Sequence, residues 1–256
     1  MSLGSNWQTR RTEAGRRKVV EVLTSVKRIA IIGAGGYARE VAWLLEDISA
    51  ATTQEASRYD MVGFLVSDAS RKGPYDSPVL GDFSWLESNH VDALVIGIGY
   101  PAVRLKLAKE LKERFPHIAW PALVHPSVMW QRRTTQVGEG VVICAGSIAT
   151  VNVRFDPFCI INVSCTIGHE AVIGSGCVLN PTVNISGGVE LGPGVLVGVG
   201  AQILQYVKVG EGARIGAGAV VNKNVNANTT VVGIPAKELA SRSPIAAVAA
   251  TGSSAA

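Results

Sequence analysis

Residues 183–203 read VNISGGVELGPGVLVGVGAQI, and an aliphatic residue recurs there at every sixth position. The same register continues in both directions through sixteen apolar positions: Val137, Ile143, Ala149, Phe155, Ile161, Ile167, Ile173, Leu179, Ile185, Leu191, Val197, Ile203, Val209, Ile215, Val221 and Ala227. A helix repeats every 3.6 residues and a strand every 2, so neither explains a period of six. A chain that turns a corner every six residues does, and three such turns close one coil of a parallel β-helix.

The residues before this array follow another pattern, in which short apolar runs alternate with helical periodicity. We predict strands over 26–32, 61–66, 93–98 and 118–124, helices over 37–48 and 101–115, and loops over 49–58 and 73–82. This order is typical of a parallel, Rossmann-like α/β domain. The predicted organisation is an N-terminal arm over 1–26 that opens with a cloning remnant, an α/β domain over 27–125, a β-helix over 126–240 and a disordered tail over 241–256.

Composition narrows the classes of function. The net charge is only +4, and no aromatic residues interleave the basic residues near the N-terminus, so we expect no nucleic-acid partner. No apolar run approaches the roughly 18 residues of a spanning helix, so we expect no membrane span. No signal peptide is recognised, and we therefore expect a cytoplasmic protein.

The four cysteines, Cys144, Cys159, Cys165 and Cys177, all lie within the repeat, and their spacing fits no zinc motif. Cys159 and Cys177 are eighteen residues apart, which is one full coil, so a disulfide between them is conceivable. We expect free thiols that act as small apolar groups, because a cytoplasmic protein resides in a reducing compartment.

Gly33, Gly35 and Gly36 lie where the first predicted strand passes into the first predicted helix. Glycine lets a ligand approach the backbone closely, and a helix N-terminus presents free N–H groups and a partial positive charge. The turn therefore suits a phosphate or pyrophosphate, and a nucleotide carrying a sugar is the favoured ligand. A turn that binds nothing and an NAD site are the alternatives; for the acidic residue of the dinucleotide pattern the chain offers only Asp60 and Asp68.

His169 is the one histidine within the repeat, and it follows a predicted corner, where side chains can point outward. A neutral imidazole can take a proton from an amine or hydroxyl as that group attacks an acyl carbon. Glu170 is the candidate to fix the tautomer of His169 and to stabilise its imidazolium form; a solvated histidine and glutamate are the alternative reading. One histidine cannot supply the three ligands of a β-helix carbonic anhydrase, so we expect no catalytic metal.

Five motifs together resemble one family. They are IAIIGAGGYAREVAWLL at 29–45, VLGD at 79–82, VIGIG at 95–99, IGHEAVIG at 167–174 and VVGIPAKEL at 231–239. The combination is similar to bacterial sugar acetyltransferases of the sialic acid O-acetyltransferase type, which include N-acetyltransferases acting on nucleotide-linked amino sugars. The resemblance covers roughly residues 27–240. It implies a left-handed β-helix, a homotrimer, and acetyl-CoA as a co-substrate in the groove between neighbouring β-helices.

The resemblance also implies roles for single residues in acyl transfer. His169 would be the catalytic base and Glu170 its acidic partner. The backbone N–H of Gly187 would donate to the thioester oxygen, and Val199 and Ala217 would contact the pantetheine arm. Gly187 follows His169 by eighteen residues, so one coil places them about one strand spacing apart.

The acceptor site implied by the resemblance lies mainly in the α/β domain. Gly33, Gly35 and Gly36 would lie near the phosphates, Asp68 near the base or ribose, Gly99 in the pocket, and Asn162 close to the sugar. The chain departs from many relatives by carrying Val178 in place of a second histidine and Tyr37 in place of a histidine in the glycine turn.

We therefore predict an acetyl-CoA-dependent N-acetyltransferase that acts on a nucleotide-linked amino sugar. The amine would attack the thioester directly, with His169 as general base and no acyl-enzyme. A sugar O-acetyltransferase of the same fold and a non-catalytic trimeric binding protein are the alternatives.

Overall fold

The computed structural model describes residues 26–55, 58–68 and 79–239, so the predicted tail and almost all of the predicted arm lie outside the described residues. The described chain begins with a parallel sheet in the order β3-β2-β1-β4. Its strands are β1 (Lys27–Ile32), β2 (Tyr59–Leu65), β3 (Val79–Gly81) and β4 (Ala93–Ile96). Because β1 lies between β2 and β4, the strand order reverses beside β1, as it does in Rossmann-like folds.

Helix α1 (Gly36–Ala51) follows β1, helix α2 (Pro101–Arg114) follows β4, and a short 3-10 helix spans Phe83–Glu87. The helices cover opposite faces of the sheet, because successive strand residues point to opposite sides. Ile29 and Ile31 of β1 pack with α1, whereas Ala30 and Ile32 pack with α2. Pro101 stands at the start of α2, where its missing N–H costs no helical hydrogen bond.

Three predicted segments differ from the structure. The strand predicted over 118–124 is divided: Ala119 forms an isolated bridge with Ala93, while β5 (Leu123–Val124) pairs with the β-helix. Pro121 lies between these two pieces and has no N–H to donate, so one continuous ladder is disfavoured. The loop predicted over 73–82 contains β3 near its end, and the loop predicted over 49–58 begins within α1. The parts of these two predicted loops that form a strand or a helix are too short to show the hydrophobic periodicity of a longer element.

From β5 onward the chain winds as a β-helix with three faces. The first face contains β5, β8 (Val142–Ile143), β11 (Ile160–Ile161), β14 (Val178–Leu179), β17 (Leu196–Val197), β20 (Arg214–Ile215), β22 (Thr230–Val232) and β23 (Lys237–Glu238). The second contains β6 (Met129–Trp130), β9 (Ile148–Ala149), β12 (Thr166–Ile167), β15 (Asn184–Ile185), β18 (Gln202–Ile203) and β21 (Val220–Val221). The third contains β7 (Gln136–Val137), β10 (Arg154–Phe155), β13 (Val172–Ile173), β16 (Glu190–Leu191) and β19 (Lys208–Val209).

The predicted six-residue register forms the interior of this β-helix. Its members from Ile143 to Val221 are at most 3% exposed, and each pairs in parallel with a residue eighteen positions away, as Ile167 does with Ile185. The prediction is wrong at the last position, since Ala227 is exposed. Val225 is buried instead and forms a bridge with Val209, because the final turn reaches the third face two residues early.

At the corners of the β-helix, the third residue after the buried register residue adopts a left-handed backbone conformation. Glycine occupies many of these positions, but Phe158, Glu170, Thr182 and Tyr206 also adopt φ values from 60° to 63°. A non-glycine residue pays about 1–2 kcal/mol for this conformation. Side chains kept at these positions are therefore candidates for a role in packing or function.

The α/β domain packs against the first face of the β-helix. Val142 and Cys144 belong to the same apolar cluster as Val41 of α1, and Phe158 belongs to that of Leu111 of α2. Further along the β-helix, a Cβ added to Gly176 would lie 2.5 Å from Cγ of Leu105, so α2 also covers the edge between the third and first faces. The corner between the second and third faces lies on the opposite side of the prism.

Replacing Phe155 by alanine should lower the free energy of unfolding by about 3–5 kcal/mol, because the aromatic ring fills the interior of a coil. Phe155 is only 1% exposed. The change is measured by denaturant unfolding. Arg154→Ala is the matched control, since the neighbouring side chain is 51% exposed and its ion pair with Asp156 lies at the surface. Equal effects of the two substitutions would contradict the packing described above.

Candidate active site

The corner that follows β12 brings His169 and Gly187 together. The ring of His169 lies directly against the backbone of Gly187, one coil further on: a Cβ added to Gly187 would lie 2.5 Å from Cε1 of His169 and closer still to Nε2. The backbone supports this contact, since the N–H of Gly188 donates to the carbonyl oxygen of His169 at 2.8 Å. Only glycine leaves room for the ring at this position.

The N–H of Gly187 is available to a ligand. Its neighbours use their N–H groups within the β-helix, Ser186 donating to the carbonyl of Ile203 and Gly188 to that of His169. Among the described residues, no acceptor lies within hydrogen-bond range of the Gly187 N–H. The same pattern recurs at successive corners. The N–H groups of the first and third corner residues donate hydrogen bonds to neighbouring coils, whereas the N–H of the second residue faces outward. The corner thus presents a backbone donor beside an imidazole.

Glu170 occupies the left-handed position of the His169 corner. Its Oε2 lies 3.7 Å from Nδ1 of His169, which is too long for a hydrogen bond. The two side chains are 61% and 52% exposed, so both can rotate into solvent. Glu170 has a φ of 61°, a left-handed conformation that costs glycine less free energy than glutamate.

The other predicted acyl-transfer residues lie at a different edge of the second face. Asn162, Val199 and Ala217 follow first-face strands, so they line the edge between the first and second faces. His169 and Gly187 line the edge between the second and third faces. Within one chain these two groups are separated by the width of the second face. Asn162 is 9% exposed, and its Oδ1 accepts a hydrogen bond from the N–H of Val163 at 2.8 Å.

The residues predicted for the acceptor site lie at the carboxyl edge of the α/β sheet. Gly33 directly follows β1 and has a φ of 99°, and Gly35 and Gly36 lie at the start of α1. Asp68 follows β2 and Gly99 follows β4, the two strands that flank β1. A Cβ added to Gly35 or Gly99 would meet no atom within 4 Å, so both backbones border open space. The edge offers a crevice where the strand order reverses, which is the usual ligand position in open α/β sheets.

The four thiols are poorly suited to act as nucleophiles. All four cysteines are free and buried. Burial raises the pKa of Cys165, the thiol nearest His169 in sequence, to about 11, and it raises those of Cys144 and Cys177 to about 12. A buried, protonated thiol is a poor nucleophile. Among the described residues, no group of three or more His, Cys, Asp or Glu side chains could hold a metal ion.

Sequence reasoning missed one buried charge beside the crevice, Arg104 of α2. It is 0% exposed and donates hydrogen bonds to backbone carbonyls on both the α/β domain and the β-helix. The signal was present in the sequence: Pro101, Arg104, Ala108 and Leu111 share the buried stripe of α2. A basic residue on an apolar stripe indicates a specific internal partner.

Comparison with known families and structures covers both halves of the chain. Residues 28–111 match the family described as PglD N-terminal domain, and residues 188–223 match the bacterial transferase hexapeptide family of six repeats. A comparison with curated protein sequences finds no match. None of the helices in the described ranges is long and apolar enough to cross a membrane.

Three solved structures are similar over nearly their whole length. PerB from Caulobacter crescentus, with CoA and GDP-perosamine bound, is 26% identical with a TM-score of 0.73 over 84% of this chain and 99% of its own. WeeI from Acinetobacter baumannii is 27% identical with a TM-score of 0.70 over 82% and 99%. The acetyltransferase domain of PglB from Neisseria gonorrhoeae, with acetyl-CoA bound, shares the fold at 24% identity and a TM-score of 0.71 over 84% and 100%.

The two matching domains and the shared architecture establish a Rossmann-like domain followed by a left-handed parallel β-helix. The resemblance noted in the sequence motifs is thereby confirmed. The chain is therefore similar to the PglD N-terminal domain family over residues 28–111, to the bacterial hexapeptide transferases over residues 188–223, and to PerB and WeeI over most of its length.

Proposed function

We propose that this protein transfers an acetyl group from acetyl-CoA to the amine of a nucleotide-linked amino sugar. The observation that carries the proposal is the imidazole of His169 packed against the unused N–H of Gly187. An acyl transfer needs a base for the attacking group and a donor for the oxyanion, and this corner offers both. PerB was solved with CoA and an amino-sugar nucleotide, and the PglB domain with acetyl-CoA, which supports the same two substrates here.

The proposed reaction has one chemical stage without an acyl-enzyme. The neutral amine attacks the thioester carbonyl carbon, and His169 takes the proton that the nitrogen loses. The oxyanion that forms accepts a hydrogen bond from the Gly187 N–H, a contact typically worth about 3 kcal/mol. The tetrahedral intermediate then collapses to the amide as its C–S bond breaks, and the CoA sulfur leaves as the thiol with the proton that His169 had taken. The high pKa of Cys165 supports direct attack, because it disfavours a competing thiolate.

The acceptor is proposed to bind at the carboxyl edge of the α/β sheet. Gly35 and Gly36 would receive the diphosphate at the N-terminus of α1, where unpaired N–H groups attract anions. Gly33, whose own N–H donates to the carbonyl of Leu65 at 2.7 Å, would contribute a close approach to the backbone. Gly99 borders the open space across from them, and Asp68 would face the ribose or base. The amino sugar would then extend away from this edge toward the β-helix.

A homotrimer is proposed, because one chain does not bring all the site residues together. The α/β domain covers the first face, whereas His169 projects from the opposite corner. If three second faces surround a common axis, the His169 edge of one chain meets the Asn162 edge of the next. Exposed apolar side chains on that face and its two edges support this packing: Met129, Ile148, Val151, Val199, Leu204 and Tyr206 are 37–67% exposed.

The proposal is tested by an acetyl-transfer assay with UDP-, GDP- and dTDP-linked amino sugars and with the matching hydroxyl sugars. We expect amide formation on one amino-sugar nucleotide and no ester on its hydroxyl analogue, measured by mass spectrometry of the product. Ester formation in preference to amide would identify an O-acetyltransferase. Binding of acetyl-CoA in calorimetry without turnover of any acceptor in the panel would favour a non-catalytic binding protein.

A further inference from the structure

Arg104 is the one fully buried charged side chain in the described core. Its guanidinium makes four hydrogen bonds, all to backbone carbonyls. One nitrogen, Nη1, donates to Ile96 at 2.7 Å and to Ile98 at 3.0 Å. Nε and Nη2 donate together to the carbonyl oxygen of Phe158, at 3.1 and 3.0 Å. None of its hydrogen bonds goes to a carboxylate, so the charge is balanced by peptide dipoles alone. Burial without a counter-ion lowers the pKa of Arg104 below its usual value.

These carbonyls belong to two different domains. Ile96 and Ile98 lie at the end of β4, in the segment that leads to Gly99 of the proposed acceptor crevice. Phe158 lies at a corner of the β-helix, where its left-handed φ of 63° turns the backbone. One side chain therefore ties the end of β4 to the β-helix across the domain boundary. No other side chain in the described ranges donates to carbonyls on both domains at once.

The segment that Arg104 grips is packed tightly beneath the glycine turn of β1 and α1. A Cβ added to Gly33 would lie 2.8 Å from Cγ1 of Ile98, and one added to Gly97 would lie 2.7 Å from Cβ of Ala38. A shift of Ile98 would therefore move Gly33 as well, because protein interiors are close-packed and transmit displacement. The backbone at Gly33 and the backbone that leads to Gly99, which border the crevice, thus both depend on the position of the Ile96 and Ile98 carbonyls.

We propose that Arg104 is a positioning residue that sets the acceptor crevice of the α/β domain against the β-helix. It touches neither the proposed acceptor nor acetyl-CoA; it acts through the carbonyls of Ile98 and Phe158. The planar guanidinium suits this task because its donors diverge in fixed directions, whereas a lysine ammonium concentrates its three donors on one atom. Lysine at this position keeps the charge and loses the bridge.

The test compares Arg104→Lys with the wild type, and its kinetic part rests on the proposed function. We expect the KM for the nucleotide amino sugar to rise about tenfold, the factor that one lost hydrogen bond to a charged group carries. The KM for acetyl-CoA should stay within about twofold, because its proposed groove is formed by the β-helix alone. Arg114→Lys is the matched control: the same substitution on the same helix, at a side chain that is 39% exposed.

Hydrogen exchange gives a readout that needs no activity. In Arg104→Lys, amides of residues 96–100 should exchange at least about tenfold faster, while those of residues 183–203 keep their wild-type rates. If no acceptor is turned over by the wild type, the proposed function fails, and this exchange result still decides the role of Arg104. Unchanged exchange, or an unchanged acceptor KM in an active enzyme, would overturn the proposal. So would failure of Arg104→Lys to fold, because the contact would then serve global stability rather than the position of one segment.

Discussion

His169→Ala should lower kcat for acetyl transfer by about 10²–10⁴, the contribution typical of a positioned general base. The substitution removes the imidazole from the corner after β12 and leaves the N–H of Gly187 in place. We expect the affinity for CoA, measured by calorimetry, to change little, since the imidazole acts on the acceptor's proton. The rate is measured by thiol release from acetyl-CoA at saturating acceptor.

His117→Ala is the control for this experiment, because His117 is an exposed histidine of the α/β domain, remote in the fold from the corner. It should retain wild-type kcat. If His169→Ala keeps kcat within about threefold, the loss is too small for a general base, and His169 would be an ordinary surface residue.

Gly187→Ala should be almost as damaging, with a fall in kcat of about 10²–10³, because the added methyl group displaces the imidazole that acts as general base. The added Cβ would lie 2.5 Å from Cε1 of His169, so the ring must leave its place or the backbone must shift. Alanine itself is acceptable at this position of a corner, since Ala145 and Ala217 already occupy equivalent places in other coils. The damage should therefore be local to the His169 corner, with little change in thermal stability.

Ser175→Ala places an alanine at the equivalent position of the corner that follows β13 and should leave kcat unchanged. The double variant His169→Ala, Gly187→Ala separates displacement of the His169 ring from a shift of the Gly187 backbone, because coupled residues give non-additive effects. If the methyl group acts by displacing the ring, the double variant is no slower than His169→Ala alone. Wild-type kcat in Gly187→Ala would contradict the contact on which the proposed mechanism depends.

The β-helix could be predicted almost completely because its signal is repeated. Sixteen positions specify one register, and fourteen of them, from Ile143 to Val221, are buried as expected. The prediction is wrong only where the repeat ends: Val225 replaces Ala227 because the last turn is two residues short. In the α/β domain no repeat reinforces the prediction, so each helix or strand must be predicted from its own residues alone. The helices were found, while β3, with three residues, was missed.

The candidate site also has one part that the sequence predicts and other parts that it does not. The contact between His169 and Gly187 follows from the eighteen-residue coil, so their spacing in sequence predicts their spacing in space. The position of Asn162 relative to His169 cannot be predicted from their spacing in sequence, because the two residues lie on different edges of one face. Arg104 was missed because its partners are backbone carbonyls, which leave no mark on residue identity.

A crystal structure of the protein with CoA and the nucleotide amino sugar that the assay selects tests the central claim most directly. We expect the CoA sulfur and the sugar amine to meet at the corner of His169, with the amine within hydrogen-bond distance of the imidazole and the Asn162 edge of a neighbouring subunit facing them. A complex in which the CoA sulfur lies at any other part of the β-helix would contradict the account.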